Sequence, residues 1–331
     1  MSRAEPLKVS IAMATYNGEK YLQEQLDSFL AQTRLPDELV ITDDCSADNT
    51  LAIIEKFAAS APFEVRWGRN EENLGYTGNF NKALMKATGD LVFLSDQDDV
   101  WFPEKLERME RYALEDPEAL VVMNDAALTD HALNDTGLTK LGQIATAGMS
   151  DSSFVMGCCA AVRRELLELC LPIPAGYMGH DNWIVEMAEG VGRKRVFRDV
   201  LQCYRRHDEN ESQFIANRTT KVTRWMVFRH SLARAVTGDG QQEQMVQSCI
   251  QIGRFLEGVR VAGARSEFPL SNSFEAYARQ LEWRFLTMER RMEMRLKARW
   301  QRLPDVINLW KSGAYSEFSG VHSAVRDLLF R

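Results

Sequence analysis

The chain has 331 residues and a mass of 37.7 kDa, is 45% hydrophobic and 26% charged, and sets 40 Lys and Arg against 47 Asp and Glu for a net charge of −7. That composition belongs to a folded chain long enough for two domains and excludes a disordered, collagen-like or disulfide-stapled one. Nothing in the overall charge favours nucleic acid as a partner.

Val9–Ala14 is an apolar run of strand length, punctuated by Tyr16-Asn17-Gly18. Tyr21, Leu22, Leu26, Phe29 and Leu30 then recur at helical spacing, with Pro36 beyond the end. Leu39–Thr42 predicts a second strand leading into Asp43-Asp44-Cys45-Ser46, and Ser46 or Asp48 can cap a helix carrying Leu51, Ile54 and Phe57. Phe63–Trp67, Leu91–Ser95 and Leu120–Met123 predict three further strands. Strands alternating with helices predict an α/β fold with a mostly parallel sheet flanked by helices, whose ligands collect at the carboxyl ends of the strands. From Leu128 to Ser152 the pattern weakens, and a mobile loop or a poorly patterned hairpin is expected there. Ser153–Val162, a short helix and Arg195–Tyr204 restore the pattern. Farther on, Trp225–Ala235, Gln242–Val259 and Ser273–Arg302 are helical in pattern. The expected organisation is an α/β domain over residues 1–212 and a helical C-terminal region over 213–331.

The six cysteines, Cys45, Cys158, Cys159, Cys170, Cys203 and Cys249, form no C-x-x-C pair and no common zinc spacing. Reduced thiols in a cytoplasmic protein are the expectation. Met1–Lys8 lacks the apolar stretch of a signal peptide, and no apolar run reaches the roughly 18 residues of a membrane span.

The polar residues with chemistry in them fall at the strand ends. Ser95-Asp96-Gln97-Asp98-Asp99 places three carboxylates within four residues after an apolar strand. Such carboxylates repel one another unless a hard divalent cation sits between them, and Mg²⁺ and Mn²⁺ commonly bridge phosphates. An acidic turn alone is a common feature; the strand before it strengthens the metal reading. Asp43-Asp44 ends the second strand, where an acid either caps the following helix or accepts hydrogen bonds from a ribose or base. Thr15-Tyr16-Asn17-Gly18 lines the same edge. No Walker A or G-x-G-x-x-G sequence is present, so the P-loop and dinucleotide-binding readings lose their support. Asp181, in His180-Asp181-Asn182-Trp183, can cap a helix from Trp183 to Glu189 or serve as a general base. His207 follows Tyr204-Arg205-Arg206, a group suited either to solvent or to an anion or metal.

Taken in order, these motifs resemble the family-2 inverting glycosyltransferases of GT-A fold, and within them bacterial rhamnosyltransferase-type enzymes of cell-surface polysaccharide synthesis such as O-antigen. The resemblance is carried by Thr15-Tyr16-Asn17-Gly18, Asp43-Asp44-Cys45-Ser46, Asn73-Leu74-Gly75, Asn79-Phe80-Asn81, Ser95-Asp96-Gln97-Asp98-Asp99-Val100-Trp101, His180-Asp181 and His207, across residues 8–210. It implies a nucleotide-diphosphate sugar donor held by Thr15, Tyr16, Asn17, Asp43, Asp44, Asn73, Asn79, Asp96 and Gln97. It further implies a divalent cation, Mg²⁺ or Mn²⁺, at Asp98, Asp96 and His207, and Asp181 as the catalytic base. His180 stands where the family more often has Glu. The Asp-Gln-Asp-Asp-x-Trp form points to dTDP-rhamnose, with UDP-hexoses or UDP-hexosamines as the alternative donors. The implied acceptor is a hydroxyl of a glycan or lipid-linked glycan.

Two other classes stay in view. A nucleotidyltransferase would carry a Gly-rich, Arg- or Lys-bearing loop after the first strand, whereas Thr15–Lys20 has one glycine and no arginine. An inactive nucleotide-binding scaffold would have lost some of the acids that this chain retains. In the tail, Arg284–Arg302 holds seven basic residues against Glu289 and Glu293, with Phe285, Met288, Met292 and Leu296 at helical spacing. It reads as a core-packed helix, a homodimer face, or an amphipathic surface in peripheral contact with the anionic inner face of the cell membrane. Trp225, Met226 and Phe228 beside Arg224 and Arg229 offer a second such patch.

Overall fold

The apolar runs Val9–Ala14, Leu39–Thr42 and Leu91–Ser95 become strands buried on both faces, whereas Phe63–Trp67 becomes an exposed edge strand. In the computed structural model, which describes residues 5–207, 215–227, 229, 241–318 and 320–329, β1 (Val9–Thr15), β2 (Glu38–Asp43), β3 (Glu64–Arg69) and β4 (Leu91–Ser95) form a parallel half-sheet in the order β3-β2-β1-β4. Helices α1 (Leu22–Leu30), α2 (Thr50–Ala58) and α3 (Gly75–Lys86) make the crossovers. Leu22, Leu26 and Phe29 join Ile11, Met13, Leu39, Ile41 and Phe93 in one core. Because all four strands run the same way, Thr15, Asp43 and Ser95 arrive at one edge.

The second half corrects the expectation of a mostly parallel sheet. After β5 (Val100–Trp101) and α4 (Lys105–Glu115) come β6 (Val121–Thr129), β7 (Asp135–Thr139), α5 (Lys140–Thr146), β8 (Ala160–Arg163), α6 (Arg164–Cys170), α7 (His180–Gly190) and β9 (Lys194–Arg205). The strand order continues β4-β8-β6-β9-β5, with β8 antiparallel to both β4 and β6 and β9 parallel to β6. The sheet is mixed. An antiparallel β8 starts at the edge where β4 ends, so Gly157 and Cys158, just before it, meet the acidic loop after β4.

Of the two expectations for residues 128–152, a mobile loop or a poorly patterned hairpin, the structure shows the hairpin, formed by β6 and β7, with the unexpected helix α5 packed beside it. Lys140 and Gln143 of α5 are buried, and that polar face made the segment read as unpatterned. Lys140 Nζ donates to Asn217 Oδ1, while Gln143 Nε2 donates to the carbonyls of Arg218 and Thr220 and its Oε1 accepts from the Val222 N–H. Ile215–Val222 is thereby fastened to α5.

The chain divides into two compact units, residues 1–224 and 225–331. The second is helical: α8 (Gln241–Arg265), α9 (Leu270–Leu296), α10 (Leu303–Lys311) and α11 (Val321–Leu329). The helix expected over Ser273–Arg302 stops at Leu296, and a short turn leads into α10. Most of Trp225–Ala235, with Phe228 of the second patch, lies outside the described residues. The basic tail is turned inward in part. Arg291 Nε and Arg295 Nε donate to Asp327 at 2.6 and 2.9 Å, and Arg302 donates to the carbonyls of Lys297, Arg295 and Asp327. Three of the seven basic residues are therefore interior. No described helix is long and apolar enough to cross a membrane.

Candidate active site

At the β1–β2 edge, one network shapes the polar lip. Thr15 Oγ1 donates to Asp43 Oδ1 at 3.1 Å, and the Ser46 N–H donates to Asp43 Oδ2 at 2.9 Å. Asp43 is wholly buried in these contacts. Asp44 accepts from Asn70 Nδ2 and from the Leu74 N–H, both at 2.8 Å. Asn79 Nδ2 donates to the Thr15 carbonyl at 3.1 Å, and Asn73 Nδ2 to the Asp44 carbonyl at 3.2 Å. Asp43 and Asn79 thus brace the edge from within and Asn73 from the surface, whereas Tyr16 is half exposed on it. Asn17 adopts a left-handed φ of 46°, and its Oδ1 accepts from the Ala47 N–H.

Gln97 ties this lip to the acidic loop. The Tyr16 N–H donates to Gln97 Oε1 and Gln97 Nε2 donates back to the Tyr16 carbonyl, each at 2.9 Å. A Cβ on Gly18 would stand 2.4 Å from that Oε1, so this position has no room for a side chain while the clamp is closed.

The acidic loop divides its carboxylates between two environments. Asp98 Oδ2 lies 2.7 Å from His207 Nε2, which brings together two residues 109 apart in sequence. The His207 ring packs on Tyr21 at 4.9 Å. Asp99 points inward, accepting from Gln202 Nε2 at 3.0 Å and from the Arg205 N–H at 3.2 Å. Arg205 Nε also donates to the Asp98 carbonyl at 2.8 Å, and its guanidinium reaches Glu24. Burial, with the charges of Asp98 and Asp181 added, raises the Asp96 carboxyl to about 7. Burial likewise pushes Asp99 well above the usual carboxylate range, helped by Asp98 and Asp96. The counter-charge behind them is Lys105, fully buried, donating to the Cys158 carbonyl at 2.6 Å and to Gln202 Oε1, 3.9 Å over the Trp101 ring. Burial takes its ammonium down to about 8.

Asp181 stands in the first turn of α7. Its own Oδ1 accepts the Asn182 N–H at 2.9 Å, and its charge reaches Asp96. His180 beside it is buried, stacked on Phe80 at 3.8 Å, with neither ring nitrogen hydrogen-bonded. Gly157 is what lets α7 approach: a Cβ there would lie 2.9 Å from His180 Nε2 and 3.4 Å from Asp181 Cβ.

Among the described residues, one set of donors gathers closely enough for a cation. Asp96, Asp99 and Cys158 place donor atoms within 4.8 Å of one another. Cys158 is a soft donor whose thiol burial pushes well above its ordinary value, and Asp99 is engaged by Gln202 and Arg205. Neither suits Mg²⁺ or Mn²⁺, which favour oxygen and, for Mn²⁺, imidazole donors. By donor type alone Asp96, Asp98 and His207 suit a hard divalent cation better, and the repulsion between Asp96 and Asp98 is what such an ion would relieve. The sequence reading did not single out Lys105 and set Cys158 aside among scattered thiols; a lone Lys after Pro103 carries no signal of its burial. Arg205 was visible only as part of a basic group.

Residues 10–170 match the sequence model of glycosyl transferase family 2. That likeness covers 161 of the chain's 331 residues. An uncharacterized glycosyltransferase of Nostoc sp. is 29% identical over 65% of this chain and 70% of its own length. The dTDP-rhamnosyl transferase RfbG of Shigella flexneri is 38% identical over 28% of this chain and 34% of its own. The matched stretch spans 59% of an uncharacterized relative from Mycobacterium tuberculosis. Among solved structures, Staphylococcus aureus TarS 1–349 in complex with UDP superposes with a TM-score of 0.52 at 21% identity, covering 85% of this chain and 90% of that one. The mannosyltransferase PcManGT of Pyrobaculum calidifontis, in complex with GDP-Man and Mn²⁺, gives 0.50 at 17% identity over 98% of this chain and 88% of that one. The N-terminal domain has a GT-A-like α/β fold, followed by a helical region.

Proposed function

We propose that the protein transfers a sugar from a nucleotide-diphosphate donor to a hydroxyl of a growing cell-surface glycan or lipid-linked glycan, with inversion at the anomeric carbon, and that the donor is dTDP-rhamnose. The observation that carries this reading is the meeting of Asp98 with His207 beside Asp96, within reach of the Asp181 charge, at the strand ends of a domain that matches the family-2 model. The partial likeness to RfbG supports the choice of sugar.

In this reading Thr15, Tyr16, Asn17, Asp44 and Gln97 receive the nucleotide, while Asp43, Asn73 and Asn79 hold the edge in shape. Asp96, Asp98 and His207 would hold the Mg²⁺ or Mn²⁺. A bound cation supplies charge neutralisation at the departing diphosphate. Asp181 accepts the proton of the acceptor hydroxyl as that oxygen attacks the face opposite the leaving group. The inward-facing Asp99 is a brace: through the Arg205 and Gln202 contacts it holds the acidic loop to β9. The enzyme works in the cytoplasm, at the inner face of the membrane where its acceptor would lie.

The test is nucleotide release from dTDP-rhamnose and from UDP-hexoses or UDP-hexosamines, with Mg²⁺, Mn²⁺ or EDTA, with and without a rhamnose- or hexose-terminated lipid-like acceptor. Acceptor-stimulated, EDTA-sensitive release from dTDP-rhamnose is expected. Asp181→Asn should lower transfer by at least about a hundredfold while nucleotide binding survives. Turnover of UDP-sugars alone would overturn the rhamnose assignment, and near-normal transfer by Asp181→Asn would overturn the base.

A further inference from the structure

The C-terminal unit leaves a row of large apolar side chains uncovered. Leu296 is 74% exposed and Trp300 78%, and Leu303, Ile307 and Trp310 are each between 43% and 50% exposed. Leu303, Ile307 and Trp310 fall at i, i+4 and i+7 of α10, so they share one stripe, with Trp300 a turn before it. The inner face of the same helix is already used: Val306 and Leu309 pack with Met294, Ala314 and Tyr315. The apolar surface of α10 is thus wider than its core contact needs.

The charges around this row select what covers it. With Arg291, Arg295 and Arg302 turned inward, Arg290, Lys297, Arg299 and Lys311 remain on the surface of residues 290–311, against Glu293 and a half-buried Asp305. Asp305 is itself bonded to Lys297 at 2.8 Å. A short amphipathic helix with tryptophans on its apolar side and exposed Lys and Arg at its flanks matches the bilayer interface, where indole rings sit at headgroup depth and basic side chains meet anionic lipid. A second copy of the chain would bring the same basic surplus against itself.

We propose that the face made by Leu296, Trp300, Leu303, Ile307 and Trp310 docks the protein on an anionic phospholipid surface. This inference concerns the C-terminal unit alone and stands or falls independently of the sugar-transfer reading. It relocates the membrane contact from the helix ending at Leu296, where Arg291 and Arg295 are spent inside, to the turn and helix that follow.

The experiment is co-flotation of the full chain with phosphatidylcholine vesicles containing about 30% phosphatidylglycerol and with pure phosphatidylcholine vesicles. Circular dichroism and light scattering run beside it. Binding to the anionic vesicles is expected, with a Trp300→Ser/Trp310→Ser variant weakened by at least about tenfold at unchanged helicity. Arg299→Gln/Lys311→Gln should lose preference for phosphatidylglycerol and bind both vesicles alike. Failure to float with either vesicle would overturn the proposal, as would undiminished binding of the tryptophan variant. A dimer in lipid-free buffer that the same tryptophan variant dissolves would assign the face to a second copy instead.

Discussion

The two units bury charge to opposite ends. In the N-terminal unit, Asp96, Asp98 and Asp99 crowd one loop with Lys105 as the buried cation behind them, and the carboxyls of Asp96 and Asp99 are pushed upward by burial and by neighbouring carboxylates. In the C-terminal unit the crowding is of guanidiniums: Arg291 and Arg295 meet the single carboxylate of Asp327, and the neighbouring Arg302 is satisfied by three backbone carbonyls. The second arrangement closes on itself and fixes how α9 packs against α11. The first leaves its excess charge at a sheet edge where a ligand can answer it. Buried charge marks a site where its surplus faces an opening, and marks a fold element where its partners come from the same core.

Asp327→Ala tests the C-terminal half of that contrast most severely. It leaves Arg291 and Arg295 buried without a carboxylate, at a cost of about 3–5 kcal/mol. Urea unfolding should show it as an early transition, and a change within about 1 kcal/mol would show that the arginines are held by other partners. A smaller effect is expected from Glu38, the internal acid of β2. Burial raises its pKa, but hydrogen bonds from Ser10, Thr88 and Arg66 outweigh burial and bring the carboxyl down to about 2. Because the folded value lies below the unfolded one, this stabilisation is complete above about pH 4.5 and fades as pH falls toward 2. It amounts to about 3 kcal/mol, and Glu38→Gln should remove most of it at neutral pH and flatten the acid limb of the stability curve. An acid limb identical to that of the parent would refute the assignment. Gly157→Ala should change function more than stability. With His180 held against Phe80, the new methyl pushes on the start of α7, so transfer should fall by about tenfold while nucleotide affinity stays constant. Loss of both together would mean that the substitution disturbs the whole edge.

The same contrast explains what could be read from the sequence. Val9–Ala14, Leu39–Thr42 and Leu91–Ser95 announce themselves because a strand buried on both faces must be continuously apolar, and the acids after them follow from where such strands end. The direction of β8 is not written in Ala160–Arg163, since either sense of pairing buries the same side chains. Residues 140–146 are illegible because Lys140 and Gln143 are buried through partners 75 or more positions away, in 217–222. Arg291, Arg295 and Arg302 looked like a surface for the same reason, since their common partner, Asp327, lies 25 or more residues on. Periodicity reports burial of apolar groups, and polar burial depends on a partner that periodicity does not see.

The place of β9 in the chain has a consequence for how the protein is made. Asp96, Asp98, Gly157 and Asp181 all precede it, while Gln202, Arg205 and His207, which hold the acidic loop, come with it or just after it. A polypeptide still emerging from the ribosome at Gly190 therefore carries its carboxylates without the residues that tether them. Loop closure across about a hundred residues is among the slower events in assembling a sheet. The tethered form of the acidic loop is thus among the last things the N-terminal unit acquires.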